Sequence, residues 1–116
     1  MDKYISFDFM EKNRVCTRVE IDGDYVKIKN FVDDIDIRAF GVLTNVTLKD
    51  VKELFSSRVM PSNRYKCSWL LDKIGVPYYD PYLICRVTNG ATLNDYNWIR
   101  FDDRKDLTWE QVKYRN

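Results

Sequence analysis

Apolar residues recur at every second position between Ile5 and Ile28, and at helical spacing from Leu48 onward. In the first stretch, Ile5, Phe7 and Phe9 alternate with Ser6 and Asp8. Val15, Thr17, Val19 and Ile21 alternate with Cys16, Arg18 and Glu20, and Val26 and Ile28 alternate with Lys27 and Lys29. Successive side chains of a strand point to opposite faces, so period two marks half-buried strands. Asp22-Gly23-Asp24 supplies a hairpin turn in which Gly23 can take a positive φ, and Glu11-Lys12-Asn13 supplies the turn before it. The prediction is a small antiparallel meander with one covered face.

The second stretch reads as short helices. Thr47 opens a capping box with Asp50 at its fourth residue, and Leu48, Val51, Leu54 and Phe55 mark one apolar face. Pro61 stops that helix, because the residue before a proline is pushed out of the α region. Ser62 or Asn63 is expected to cap a second helix, with Trp69, Leu70 and Ile74 buried and Gly75 just past its end. Asp80-Pro81 is an N-cap followed by proline at the first helical position, and Asn89-Gly90 ends that third helix.

Residues 31–46, with Asp33, Asp34 and Asp36, read as a loop with a short turn or strand. Tyr96, Trp98, Ile99 and Phe101 read as a closing strand, and Trp109 and Val112 as an anchor packed back on the body. The expected fold class is α+β: a small antiparallel β-meander, about three short helices and a closing strand. A length of 116 residues fits a single domain over residues 1–116, without repeat or linker.

Composition removes several chemistries. There is no histidine, hence no imidazole for general base catalysis or metal ligation. Cys16, Cys67 and Cys85 are far apart and form no metal-ligand spacing. Cys67 and Cys85 fall in the apolar part of predicted helices and read as buried structural residues. The four glycines are isolated, so no phosphate-cradling loop is present. The expectations are no catalytic residue, no metal and no cofactor: a protein that is not an enzyme. Lysine and arginine total 19 against 18 aspartate and glutamate, which gives no global pull toward nucleic acid or membrane. The charged start Met1-Asp2-Lys3-Tyr4 and the lack of a long apolar run lead to the expectation of a cytoplasmic protein.

Three segments mix turn formers, polar anchors and large side chains: Ser57–Arg64, Asp95–Ile99 and Leu107–Glu110. They supply the candidate partner-binding residues Arg58, Arg64, Asp95, Tyr96, Trp98 and Trp109. Half-exposed aromatics and arginines are the usual hot spots of protein interfaces. The same residues read structurally as well, with an arginine bonding helix-end carbonyls, an aspartate forming a turn and a tryptophan in the core. The corner from Arg58 to Lys66, with Tyr65 and Trp69, offers a third reading as a nucleic-acid surface.

The order of these segments resembles the non-catalytic N-terminal region of clostridial HipA-like Ser/Thr kinase proteins. The resembling pieces are Leu48–Phe55 running into Ser57–Arg64, Leu70–Val76, Asp80–Ile84, Thr88–Ile99 and Leu107–Val112, about the last two thirds of the chain. In that family a kinase follows such a region. Here Tyr114-Arg115-Asn116 end the sequence without a kinase motif, so no catalytic residue carries over. The resemblance implies a regulatory module that contacts a kinase, in the manner of an antitoxin-like subunit. A phage or mobile-element inhibitor of a defence nuclease, of the anti-CRISPR kind, is the alternative expectation, and a nucleic-acid-binding domain the weaker one.

Overall fold

The computed structural model describes residues 2–113; Met1 and Tyr114-Arg115-Asn116 lie outside the described residues. Strands β1 (Tyr4–Glu11), β2 (Arg14–Asp22) and β3 (Tyr25–Asn30) form the meander, and β4 (Asn97–Phe101) pairs with the free side of β1. All three pairings are antiparallel, in the order β3-β2-β1-β4. Helices α1 (Leu48–Ser57), α2 (Cys67–Ile74) and α3 (Pro81–Thr88) lie between β3 and β4, and a short α4 (Trp109–Val112) follows a 3-10 turn at Asp102–Arg104. The fold is therefore α+β, in the order predicted from periodicity. The loop at residues 31–46 contains turns and no strand.

One face of the sheet holds the larger core. Phe7 and Phe9 of β1 stand opposite Phe101 and Ile99 of β4, and α1 covers them with Val51, Leu54 and Phe55. Tyr82 and Cys85 of α3 close the cluster. The rings of Phe7, Phe55 and Phe101 pack with centroids 5.4 to 6.3 Å apart. Each such side chain contributes about 1.5–3 kcal/mol on burial. Here the core outweighs helix propensity, since α2 and α3 are each only 8 residues and too short to persist alone.

The opposite face is divided. Near β4's start, Met10 and Trp98 meet Ala91, Leu107, Trp109 and Val112 in a second core. Farther along, buried Asp8 lies between its cross-strand neighbours Arg18 and Arg100, at 3.3 and 2.9 Å. Arg18 also reaches Asp102 at 2.7 Å, which holds the Asp102 carboxyl below the usual carboxylate range. An ionic ladder thus lines this part of the sheet's second face.

A β-bulge corrects the predicted alternation. Phe9 faces Thr17, but Met10 faces Val15, leaving Cys16 unopposed. One extra residue turns every residue before it to the other face. Cys16 therefore enters the larger core, while Val15 packs beside Met10 in the second one.

The second helix also differs from its prediction. Neither Ser62 nor Asn63 caps it. Two consecutive turns, Arg64 N–H to Pro61 O and Cys67 N–H to Arg64 O, occupy that backbone. Lys66 then takes a φ of +59° and the helix begins at Cys67. This start rotates the buried face: Leu71 packs with Val76 and Ile84, whereas Trp69 is exposed.

Candidate protein-contact surface

Local rules set the helix ends that build this region. Thr47 and Asp50 form the reciprocal capping box at the start of α1, with Asp50 accepting from Thr47 N–H at 2.9 Å. Asp80 caps α3 by accepting from Tyr82 N–H at 2.9 Å. At the other end of α3, Asn89 takes a left-handed φ of +58°. Its carbonyl accepts from Ile99 N–H at 2.6 Å and its side-chain amide donates to Ile99 O at 3.1 Å. Asn89 thereby occupies the outer edge of β4, which would otherwise present unpaired backbone groups.

Arg58 ties these ends together. It leaves α1 at the C-cap, but its side chain turns into the protein. Nε donates to Gly90 O at 2.8 Å, and Nη1 and Nη2 grip the two oxygens of Asp95 at 2.7 and 2.8 Å. Nη2 also donates to Asn97 O at 2.7 Å. A planar guanidinium suits this fork, and a two-point grip on a carboxylate is among the stronger ionic contacts. Asp95 accepts in addition from Asn97 N–H at 3.1 Å. One side chain thus joins the end of α1, the end of α3 and the entry to β4.

The arrangement is tight at Gly90. Its φ is +61°, and an added Cβ would stand 3.2 Å from both Arg58 Cβ and Ile99 Cδ1. Gly90→Ala is expected to cost roughly 1–2 kcal/mol from the left-handed backbone alone, with crowding of Arg58 in addition. A lowered urea midpoint at unchanged slope would show it; an unchanged midpoint would contradict the placement.

The network also sets an acid limit. The Arg58 fork, opposed by partial burial, holds the Asp95 carboxyl below its ordinary value, and Arg86 does the same for Asp103. A carboxyl depressed on folding stabilises the protein fully above its unfolded pKa. That stability is lost as pH falls through the folded value. Stability should therefore be level near neutrality and decline below about pH 4. Melting temperature against pH for Asp95→Asn should show a shallower decline than wild type; parallel curves would contradict this.

The six predicted residues separate into distinct roles. Arg58 and Asp95 are bonded to each other. Trp98 is fully buried, and its Nε1–H donates to Lys12 O at 2.6 Å. Trp109 lies in the same core, with its backbone N–H donating to Asn13 Oδ1 at 2.9 Å. Tyr96 is exposed, edge-on to Trp109 at 6.1 Å, with Lys12 Nζ over its ring at 4.7 Å. Arg64 stands apart: it is exposed, and its side chain has no hydrogen bond or ion pair among the described residues.

Beside Arg64 the surface opens into a groove of about 550 Å³. Its lining includes the apolar Met60, Leu70, Ile74 and Leu93 and the polar Thr88, Thr92 and Asn94. Leu93 is 84% exposed, and Tyr65, Trp69 and Tyr78 are exposed nearby in sequence. Sequence reasoning missed Leu93. The available signal was an apolar residue alone between Thr92 and Asn94, in a polar turn. A second, smaller cleft of about 250 Å³ is lined by Asp2, Tyr82, Arg86 and Asp103. Its charges answer one another: Arg86 grips Asp103, and Tyr82 Oη donates to Asp2 at 3.0 Å. Burial, followed by the Asp2 contact, pushes the Tyr82 hydroxyl up to about 12.

Cys67 and Cys85 lie outside the linings of both openings. Burial pushes the Cys85 thiol up to about 12, so it stays protonated at neutral pH. Cys67 is partly exposed rather than buried. Among the described residues, no group of three or more cysteine, aspartate or glutamate side chains could hold a metal ion. No helix among them is long and apolar enough to cross a membrane.

No family model, curated protein or solved structure matches this chain. The geometry of the groove and of the Arg58 network therefore carries the functional reading.

Proposed function

We propose that this chain is a non-enzymatic protein-binding module and that the groove beside Arg64 is its contact surface. The observation that carries the reading is a groove with apolar walls, bordered by an arginine whose side chain has no partner among the described residues. Binding sites combine apolar walls with a small number of placed polar or charged groups. Interfaces are enriched in aromatic side chains and arginine, as at Tyr65, Trp69 and Arg64. The partner to test first is a HipA-like kinase, because the segment order over residues 48–112 resembles the region that accompanies such kinases.

The test is affinity capture from bacterial lysate with wild type and with Arg64→Glu, compared by quantitative mass spectrometry. At least one protein should be held by wild type and lost from the variant. Identical captures, or no captured protein, would contradict the reading.

A second reading rests on a specific feature. Lys66 and Lys73 lie over the exposed Trp69 ring, at 6.0 and 5.2 Å from its centroid, and stacking next to cations is how single-stranded nucleic acid is held. Binding of a labelled oligonucleotide that weakens steeply with salt would support it.

A further inference from the structure

We infer that the groove takes a short acidic and apolar segment of a partner protein, with an apolar side chain between Leu70, Ile74 and Leu93 and a carboxylate on Arg64. This rests on the protein-binding reading and adds the chemistry of the partner.

The charge pattern of the groove gives the sign. Among the described residues, its lining includes two arginines and no carboxylate. The charge of Arg58 is taken internally by Asp95, so the guanidinium left for a ligand is that of Arg64. Residues 61–74 carry Arg64, Lys66 and Lys73 against the single acid Asp72. Lys66 and Lys73 lie outside the lining, over the Trp69 ring, so Arg64 is the charge that faces the groove.

The walls supply the other half. Met60, Leu70, Ile74 and Leu93 offer apolar surface in a space within the volume range that takes small ligands or a few side chains. A purely apolar occupant would remove water from Arg64 without giving it a partner, which is unfavourable. A basic segment would be repelled. A phosphate backbone would match the cations and leave the apolar walls unused. An amphipathic acidic segment satisfies both parts, and Arg64 can hold its carboxylate at two points.

The experiment is a selection of displayed random peptides on the immobilised wild-type protein. Representative synthetic peptides are then measured by fluorescence anisotropy against wild type, Arg64→Glu and Leu93→Asp. Enriched peptides should place aspartate or glutamate within a few residues of leucine, isoleucine, phenylalanine or tryptophan. Affinity should fall by about tenfold or more with either variant and decrease with salt. Replacing the acids of the peptide with their amides should weaken it similarly.

Enriched peptides without acidic residues, or ones indifferent to both variants, would overturn the inference while leaving a protein-binding module in place. Absence of any enriched peptide would overturn the inference, and identical or empty lysate captures with wild type and Arg64→Glu would decide the broader reading separately. Self-association of wild type that is abolished by Arg64→Glu would also overturn it. The occupant would then be a second copy, through an exposed segment such as Asp33-Asp34-Ile35-Asp36. Arg64→Glu-sensitive oligonucleotide binding in place of peptide binding would do the same in favour of nucleic acid.

Discussion

Arg58→Ala is expected to destabilise the protein by about 3 kcal/mol, the low end of the 3–5 kcal/mol for removing one partner of a buried ion pair. The substitution leaves Gly90 O and Asn97 O without their donor and Asp95 without its counter-ion. The low end applies because Asp95 is 38% exposed and keeps access to water. The loss is not confined to one contact. The end of α1, the turn after α3 and the entry to β4 all meet on this guanidinium. A drop in melting temperature of roughly 10 °C should follow in a domain of this size. Arg58→Lys should recover only part of it, since an ammonium cannot reproduce the two-point grip. Arg64→Ala is the control, expected to lie within about 0.5 kcal/mol of wild type as an exposed and unbonded position. If Arg58→Ala melted like wild type, the network would not be the support described.

Trp98→Ala should cost about 3–5 kcal/mol, the usual range for a large aromatic removed from a core. The ring is fully buried between Met10, Leu107 and the closing helix α4. Its indole N–H also anchors the β1–β2 turn through Lys12 O, which would lose its donor. Trp98→Phe separates the two terms. It keeps much of the apolar contact and removes the hydrogen bond, at about 1 kcal/mol plus the loss of packing. Trp98 and Trp109 share one core, so their losses should not add. Urea unfolding of the four proteins (wild type, the two alanine variants and the double variant) reads this directly. Additive losses would place the two rings in separate environments. For either tryptophan, weakened binding carries information only beside an unfolding curve.

The parts of the fold legible in the sequence were those decided within a few residues. The Thr47–Asp50 box, the Asp80-Pro81 cap, Gly75 and the Gly23 turn each depend on neighbouring backbone groups, and each lies where local chemistry puts it. The bulge at Cys16 was not legible, because alternation through Val15 and Thr17 is equally regular with or without an extra residue. Only pairing with β1 decides between them. The start of α2 failed for a related reason. Ser62 and Asn63 are good caps, but turns around Pro61 and Arg64 compete for the same backbone, and the rotation that follows exposes Trp69.

The candidate site was legible as residue types and not as roles. Arg58 and Arg64 lie six positions apart and look alike in sequence. One turns inward to Asp95, 37 residues away, and the other faces solvent. Nothing within a local window distinguishes them. Leu93 was missed because a lone leucine between Thr92 and Asn94 matters only once it is known to line the same groove as Leu70 and Ile74.

The most direct test of the account is Arg64→Glu, followed by melting and by titration with a selected acidic peptide on one protein preparation. The expected result is an unfolding free energy within about 0.5 kcal/mol of wild type, with peptide affinity reduced by about tenfold or more. Unchanged affinity, or a loss of stability like that expected for Arg58→Ala, would contradict the assignment of Arg64 and its groove as the contact surface.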